Sequence, residues 1–172
     1  LREEDDFLLN ADDFLSACTE DIDLVIICNP NNPTSSAIQT GDMERIIREC
    51  KKRNIFVMID ETYVEFAPCI EEITAIPLTK RYDNLMVIRG VSKFYAAPGL
   101  RFGYGITSSE AFLKSLHQHQ NPWSLNSVGA YTGELMLKDT DYFRETRALI
   151  LSERERMFAR LSHMDGYKPY AA

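Results

Sequence analysis

Residues 24–36 read Leu-Val-Ile-Ile-Cys-Asn-Pro-Asn-Asn-Pro-Thr-Ser-Ser, and the fold follows from the way this stretch divides. Leu24-Val25-Ile26-Ile27 is an apolar, β-branched run that predicts a buried strand. Asn29 to Ser36, with two prolines and three asparagines, predicts a loop. The same pairing of apolar strand and polar segment recurs downstream. Ile55 to Ile59 predicts a second strand, closed by Asp60 and followed by Glu61-Thr62-Tyr63. Leu85 to Ile88 predicts a third, followed by Gly90-Val91-Ser92-Lys93. Phe102 to Ile106 reads as a fourth, interrupted by glycines.

Amphipathic segments separate these runs. Asn10 starts a helix with acids in its first turn, the polarity that the helix dipole favours. Asp42 is expected to cap a helix whose Met43, Ile46, Ile47 and Cys50 share one face, with Lys51, Lys52 and Arg53 in its last turn. Ser108 or Ser109 caps a helix carrying Phe112, Leu113 and Leu116. Another helix runs from about Asn126 to Leu137. A long one runs from about Tyr142 to Leu161, with Phe143, Ile150, Met157 and Leu161 on one face. Near-continuous apolar strands alternating with helices predict an α/β fold of three layers, α/β/α, around a mostly parallel sheet covered on both faces. In such sheets ligands bind beyond the C-terminal ends of the strands, where the three polar segments converge.

Composition narrows the chemistry. The chain has 172 residues, enough for one domain, and a formal net charge of −7. Its acids and bases are interspersed, so no basic patch offers phosphate neutralisation and nucleic acid is not an expected partner. No apolar run approaches the ~20 residues that span a bilayer, so no membrane role is expected. The N-terminus shows no signal-peptide pattern, and a first residue other than Met suggests a piece of a longer protein. Cys18, Cys28, Cys50 and Cys69 form no C-x-x-C pair and read as buried free thiols of a reducing cytoplasm. His117 and His119 flank Gln118 on a helix and point to different faces, a poor metal pair.

Taken singly, the polar residues after the strands have ordinary readings: a solvated lysine, a turn-capping aspartate, a rigid proline loop, a surface arginine. As a set they suit pyridoxal 5'-phosphate. That cofactor needs a primary amine to condense with its aldehyde, which Lys93 supplies. It needs a carboxylate at its pyridine nitrogen, and Asp60 is available. Donors to its ring oxygen fit Asn32 and Tyr63. Its phosphate fits a hydroxyl and a guanidinium fork, Ser92 and Arg101.

The stretches CNPNNPTSS, VMIDETYVEF and GVSKFYAAPGLRFGYG resemble the fold-type I pyridoxal-phosphate enzymes, class I/II aminotransferase branch, over nearly the whole chain. Within it they are most similar to histidinol-phosphate aminotransferases and threonine-phosphate decarboxylases. The resemblance implies the same roles: Lys93 forms the internal aldimine, Asp60 meets the ring nitrogen, Asn32 and Tyr63 meet the ring oxygen, and Ser92 and Arg101 hold the phosphate. Lys93, Asp60 and Tyr63 are the expected catalytic residues. It also implies a cis Asn32–Pro33 bond, an antiparallel Phe102 to Ile106 strand and a homodimeric parent enzyme about twice as long. On that reading residues 1–163 are a partial cofactor-binding large domain and 164–172 begin a small domain. The chain alone is expected to be inactive.

Two positions depart from the family pattern, Ser35 for a usual Gly and Gly90 for a usual hydroxyl residue. Transamination of an amino acid or phosphorylated amino acid is the first expectation. Decarboxylation of a phosphorylated hydroxy-amino acid is the alternative, favoured by Asn121-Pro122-Trp123-Ser124-Leu125-Asn126. A non-catalytic interaction domain that retains the fold is a third.

Overall fold

The computed structural model describes residues 1–170. Among the described residues four strands form, the first three on apolar runs and the fourth on a glycine-interrupted one: β1 (Leu24–Cys28), β2 (Phe56–Asp60), β3 (Leu85–Gly90) and β4 (Gly103–Thr107). They lie in the order β1-β2-β3-β4. The first three are parallel, and β4 is antiparallel to β3, pairing Ile88 with Gly105 and Gly90 with Gly103. The antiparallel fourth strand is therefore as the resemblance implies.

Among the described residues, five α-helices accompany the sheet. α1 (Ala11–Ala17) is capped by Asn10, whose side chain accepts the Asp12 and Asp13 amides. α2 (Thr40–Lys52) starts two residues before the expected cap, so Asp42 lies in its first turn and helps the dipole rather than capping. The Thr40 hydroxyl donates to the Glu72 carbonyl, which anchors that earlier start. α3 (Glu110–His119) is capped by Ser109, α4 (Ser127–Lys138) by Asn126, and α5 (Thr140–Leu161) by Asp139.

Alternation along the strands sends Ile27, Val57, Ile59, Leu85 and Val87 to one face. There they pack with Met43, Ile46, Ile47 and Cys50 of α2, all fully buried, in one continuous core. Each such side chain contributes roughly 1.5–3 kcal/mol by leaving water. The second face is covered less. Phe56 stacks on Phe112 of α3 at 4.4 Å, yet Leu24 and Ile26 are 47% and 61% exposed. The expectation of a fully buried first strand is thus corrected: only Ile27 of its apolar run is buried, because β1 is a sheet edge whose second face the described residues leave largely open. Met157 is likewise exposed, so the expected apolar face of α5 is interrupted there, although Leu161 beyond it is half-buried.

A second cluster joins Val91, Phe94 and Tyr95 to Phe143 and Ile150 of α5. It docks α5 beside the loop that follows β3. Among the described residues, no helix is long and apolar enough to cross a membrane. The four cysteines are free, but only Cys18 and Cys50 are buried; Cys28 is exposed on the uncovered face and Cys69 lies half-buried in a turn, which corrects the expectation for those two.

Candidate active site

The site assembles where β1, β2 and β3 end. The loop after β1 owes its shape to Asn29, which is fully buried. Its amide nitrogen donates to the carbonyls of Ile38 (3.2 Å) and Ile73 (2.9 Å), and its oxygen accepts the Ile38 amide at 2.7 Å. The Asn31 side chain donates to Thr34 Oγ1 at 2.7 Å, and Thr34 and Ser36 share a further hydrogen bond of 2.8 Å. Asn32–Pro33 is cis, as expected, and so is Asn29–Pro30, which was not expected. Asn32 is exposed, and its Nδ2 donates to Tyr63 Oη at 3.1 Å.

Asp60 closes β2, opposite Cys28 on β1 and Ile88 on β3. Its Oδ1 accepts both the amide and the hydroxyl of Thr62, and no donor among the described residues occupies Oδ2. Burial, and secondarily the charge of Asp60, push the Cys28 thiol above its ordinary value. Tyr63 follows in the next turn, and Lys93 Nζ lies 5.8 Å from the centre of its ring. Lys93 is exposed and has no ion-pair or hydrogen-bond partner among the described residues. The structure thus brings Asn32, Tyr63 and Lys93 together, with Asp60 at the adjoining strand end.

Ser92 stands beside Lys93, half-buried. Arg101 is exposed, in left-handed backbone (φ 50°), and its Nη1 donates to the Pro98 carbonyl at 3.1 Å, within its own turn. That turn is held by α4. Asn126 Nδ2 donates to the Leu100 carbonyl at 3.2 Å, and a Cβ at Gly129 would lie 2.7 Å from the same oxygen. α5 secures the other two loops. Tyr142 Oη donates to the Phe94 carbonyl at 3.0 Å, and Arg147 donates to the carbonyls of Ala67 (2.6 Å) and Pro68 (3.0 Å). A cleft of about 610 Å³ opens beside Asn32 and Tyr63, floored by Phe66 and Ile73 and walled by Ile150 and Arg154 of α5.

The structure adds polar residues that sequence reasoning passed over. Glu61 is fully buried, and its Oε2 accepts Arg89 Nε at 3.0 Å and Nη2 at 2.6 Å. Oε1 accepts the Ala75 amide at 2.6 Å, and the Thr74 hydroxyl lies within bonding distance of both oxygens. Glu65 is buried nearby with Oε2 unpaired, and burial pushes its carboxyl above the ordinary value. Burial also pushes Tyr95 up to about 12 and raises Tyr104. The available signal was Arg89 inside an otherwise apolar strand, since a charge there requires a buried partner.

These residues fit a pyridoxal phosphate. An unpaired amine stands beside an amide–phenol pair, a carboxylate oxygen is open to a donor, and the Gly90–Gly103 pair leaves the adjoining strand ends bare. Known proteins resemble this chain along nearly its whole length. A threonine-phosphate decarboxylase of Salmonella typhimurium is 35% identical over 164 residues, 95% of this chain and 44% of its own length. A histidinol-phosphate aminotransferase of Ruminiclostridium cellulolyticum is 31% identical over all of this chain and 46% of its own. The crystal structure of the histidinol-phosphate aminotransferase from Clostridium acetobutylicum superposes with a TM-score of 0.86 at 31% identity, over 96% of this chain and 50% of that one. The chain therefore spans about half the length of the relatives it matches. The family of class I and II aminotransferases matches residues 1–172, and the chain belongs to it.

Proposed function

We propose that this chain is the cofactor-carrying part of a pyridoxal-phosphate-dependent aminotransferase acting on an amino acid or phosphorylated amino acid. The observation that carries this reading is the convergence of Asn32, Tyr63 and Lys93 beside Asp60 at one end of the parallel strands. When bound, pyridoxal phosphate acts as the electron sink for a bond broken at the substrate's Cα. Lys93 would bind the cofactor covalently, and once released its amine would take the Cα proton and return it. Asp60 would hold a proton on the ring nitrogen through its open Oδ2. Asn32 and Tyr63 would donate to the ring oxygen, Tyr63 with its hydroxyl hydrogen because Asn32 already fills one of its lone pairs. Ser92 and Arg101 would hold the phosphate, Arg101 after turning from the Pro98 carbonyl.

Decarboxylation is the second reading, favoured by the 35% identity to the Salmonella decarboxylase. Substrate contacts decide it, by choosing which Cα bond stands perpendicular to the ring. Residues 1–163 belong on this reading to a large domain and the last residues to a second one; 171 and 172 lie outside the described residues. A homodimer in the cytoplasm completes the proposal, supported by family habit and by free cysteines.

Reduction with borohydride after incubation with pyridoxal phosphate tests it. A pyridoxyl mass on the Lys93 peptide of the full-length protein is expected. A label elsewhere, or none, overturns the cofactor assignment. Product analysis with O-phosphothreonine and histidinol phosphate then separates the two reactions: a keto product against carbon dioxide.

A further inference from the structure

The cofactor reading assigns nothing to the most heavily bonded side chain near the site. Glu61 and Arg89 follow Asp60 and Ile88 on neighbouring strands, and the Glu61 amide donates to the Ile88 carbonyl at 2.9 Å. They are therefore cross-strand neighbours on the face opposite Asp60. Glu61 is fully buried and the Arg89 side chain is 15% exposed, so solvent does not carry their charges. Arg89 forks onto one carboxylate oxygen, while the other is fixed by the Ala75 amide. This cross-link joins the two strands at the point where each delivers a site residue, Asp60 one position before Glu61 and Lys93 four positions after Arg89. Between Arg89 and Lys93 the chain is pinned again by the fully buried Val91.

We infer that Glu61 and Arg89 are a positioning pair that fixes the separation of Asp60 and Lys93, and so sets how tightly and in what protonation state the cofactor is held. The inference rests on the cofactor reading above. Two N–H groups of one planar guanidinium converging on a single carboxylate oxygen fix the relative orientation of the two side chains, which a purely apolar contact does not. An apolar pair would fill the same space and keep the fold, but would let the strand ends splay and slide.

The test uses the full-length protein, with pyridoxal-phosphate affinity and the pH midpoint of the bound cofactor's visible absorption as readouts. Glu61→Gln alone leaves Arg89 buried without its counter-charge, which threatens folding. The double variant Glu61→Gln/Arg89→Met removes both charges, keeps an acceptor for the Ala75 amide and fills the arginine's volume. It is expected to melt like the unsubstituted protein while binding the cofactor about tenfold or more weaker, with a displaced pH midpoint. Wild-type affinity and midpoint in a folded double variant would reduce the pair to a structural role and overturn the inference. If the double variant does not fold, Arg89→Lys decides, since it keeps the charge and loses the fork; an unmoved midpoint there is equally fatal. Absence of any cofactor band in the unsubstituted protein would instead sink the cofactor reading, and the positioning role with it.

Discussion

At the scale of single residues, the interior beneath the site is crowded with acids. Glu61 pairs with Arg89, whereas Glu65 keeps a buried oxygen without a donor. Burial raises the Glu65 carboxyl above its ordinary value of 4.5, opposed by its own backbone amide and by the charge of Arg89. The folded chain thus holds that proton more tightly than the unfolded chain. The associated stability is present in full below pH 4.5 and is lost as pH rises through the folded value. Glu65→Gln keeps the shape and removes the titration. Urea melts of both proteins from pH 4 to pH 8 should show the variant gaining on the wild type as pH rises, by up to about 1.4 kcal/mol per unit of displacement. A constant difference across the range contradicts the assignment. Asn29 makes the opposite case, a buried polar group with every atom used. Asn29→Ala strands three backbone groups and should cost about 3 kcal/mol or more in unfolding free energy, with loss of cofactor binding as the Asn32 loop loosens. A change below 1 kcal/mol would show that the loop finds other partners.

Among the elements, what the sequence made legible and what it hid separate by range. Strand positions, two of the three expected caps and the parallel-then-antiparallel order followed from local pattern and from the motif stretches. The start of α2 did not, because it is fixed by a hydrogen bond from Thr40 to Glu72, thirty-two positions away. The convergence of Asn32, Tyr63 and Lys93, with Asp60 at the adjoining strand end, was legible, since residue types in that order after successive strands suit one cofactor. The Glu61–Arg89 pair was not, because a strand's alternation tells which face a residue takes but not which charge waits there. The small residues of α4 were equally silent. Gly129 and Gly133 sit one turn apart and let the helix approach the Arg101 turn, where a Cβ on Gly133 would overlap the Phe102 ring. Gly133→Val is therefore expected to push Phe102 and the Arg101 turn away from the sheet. It should cost roughly 1–3 kcal/mol by overpacking and weaken phosphate-bearing ligands more than pyridoxal. Equal loss for both ligands would mean that the turn has not moved and the damage is general.

For the whole molecule, the distribution of apolar surface is uneven. One face of the sheet and the α2 layer are dry and closely packed, while the opposite side leaves Leu24 and Ile26 open on an edge strand. Along α4, Val128, Tyr131 and Leu135 are 70%, 67% and 52% exposed at spacings of three and four, which makes a continuous stripe. Trp123, 88% exposed, stands just before that helix. Contiguous apolar surface of this kind is uncommon on a monomer, and the β1 edge, at the far end of the strand order and unpaired among the described residues, is a second surface that invites pairing with another copy. The 172-residue chain alone should therefore run above its 19.7 kDa mass in light scattering, increasingly so from micromolar to tens of micromolar concentration. Charges at the two surfaces separate their contributions. If the edge strand drives association, Ile26→Lys returns the chain to monomer and Tyr131→Lys does not; if the helix stripe drives it, the order reverses. A chain that stays monomeric at every concentration without substitution would show that neither surface is sticky enough to be held in contact, despite its area.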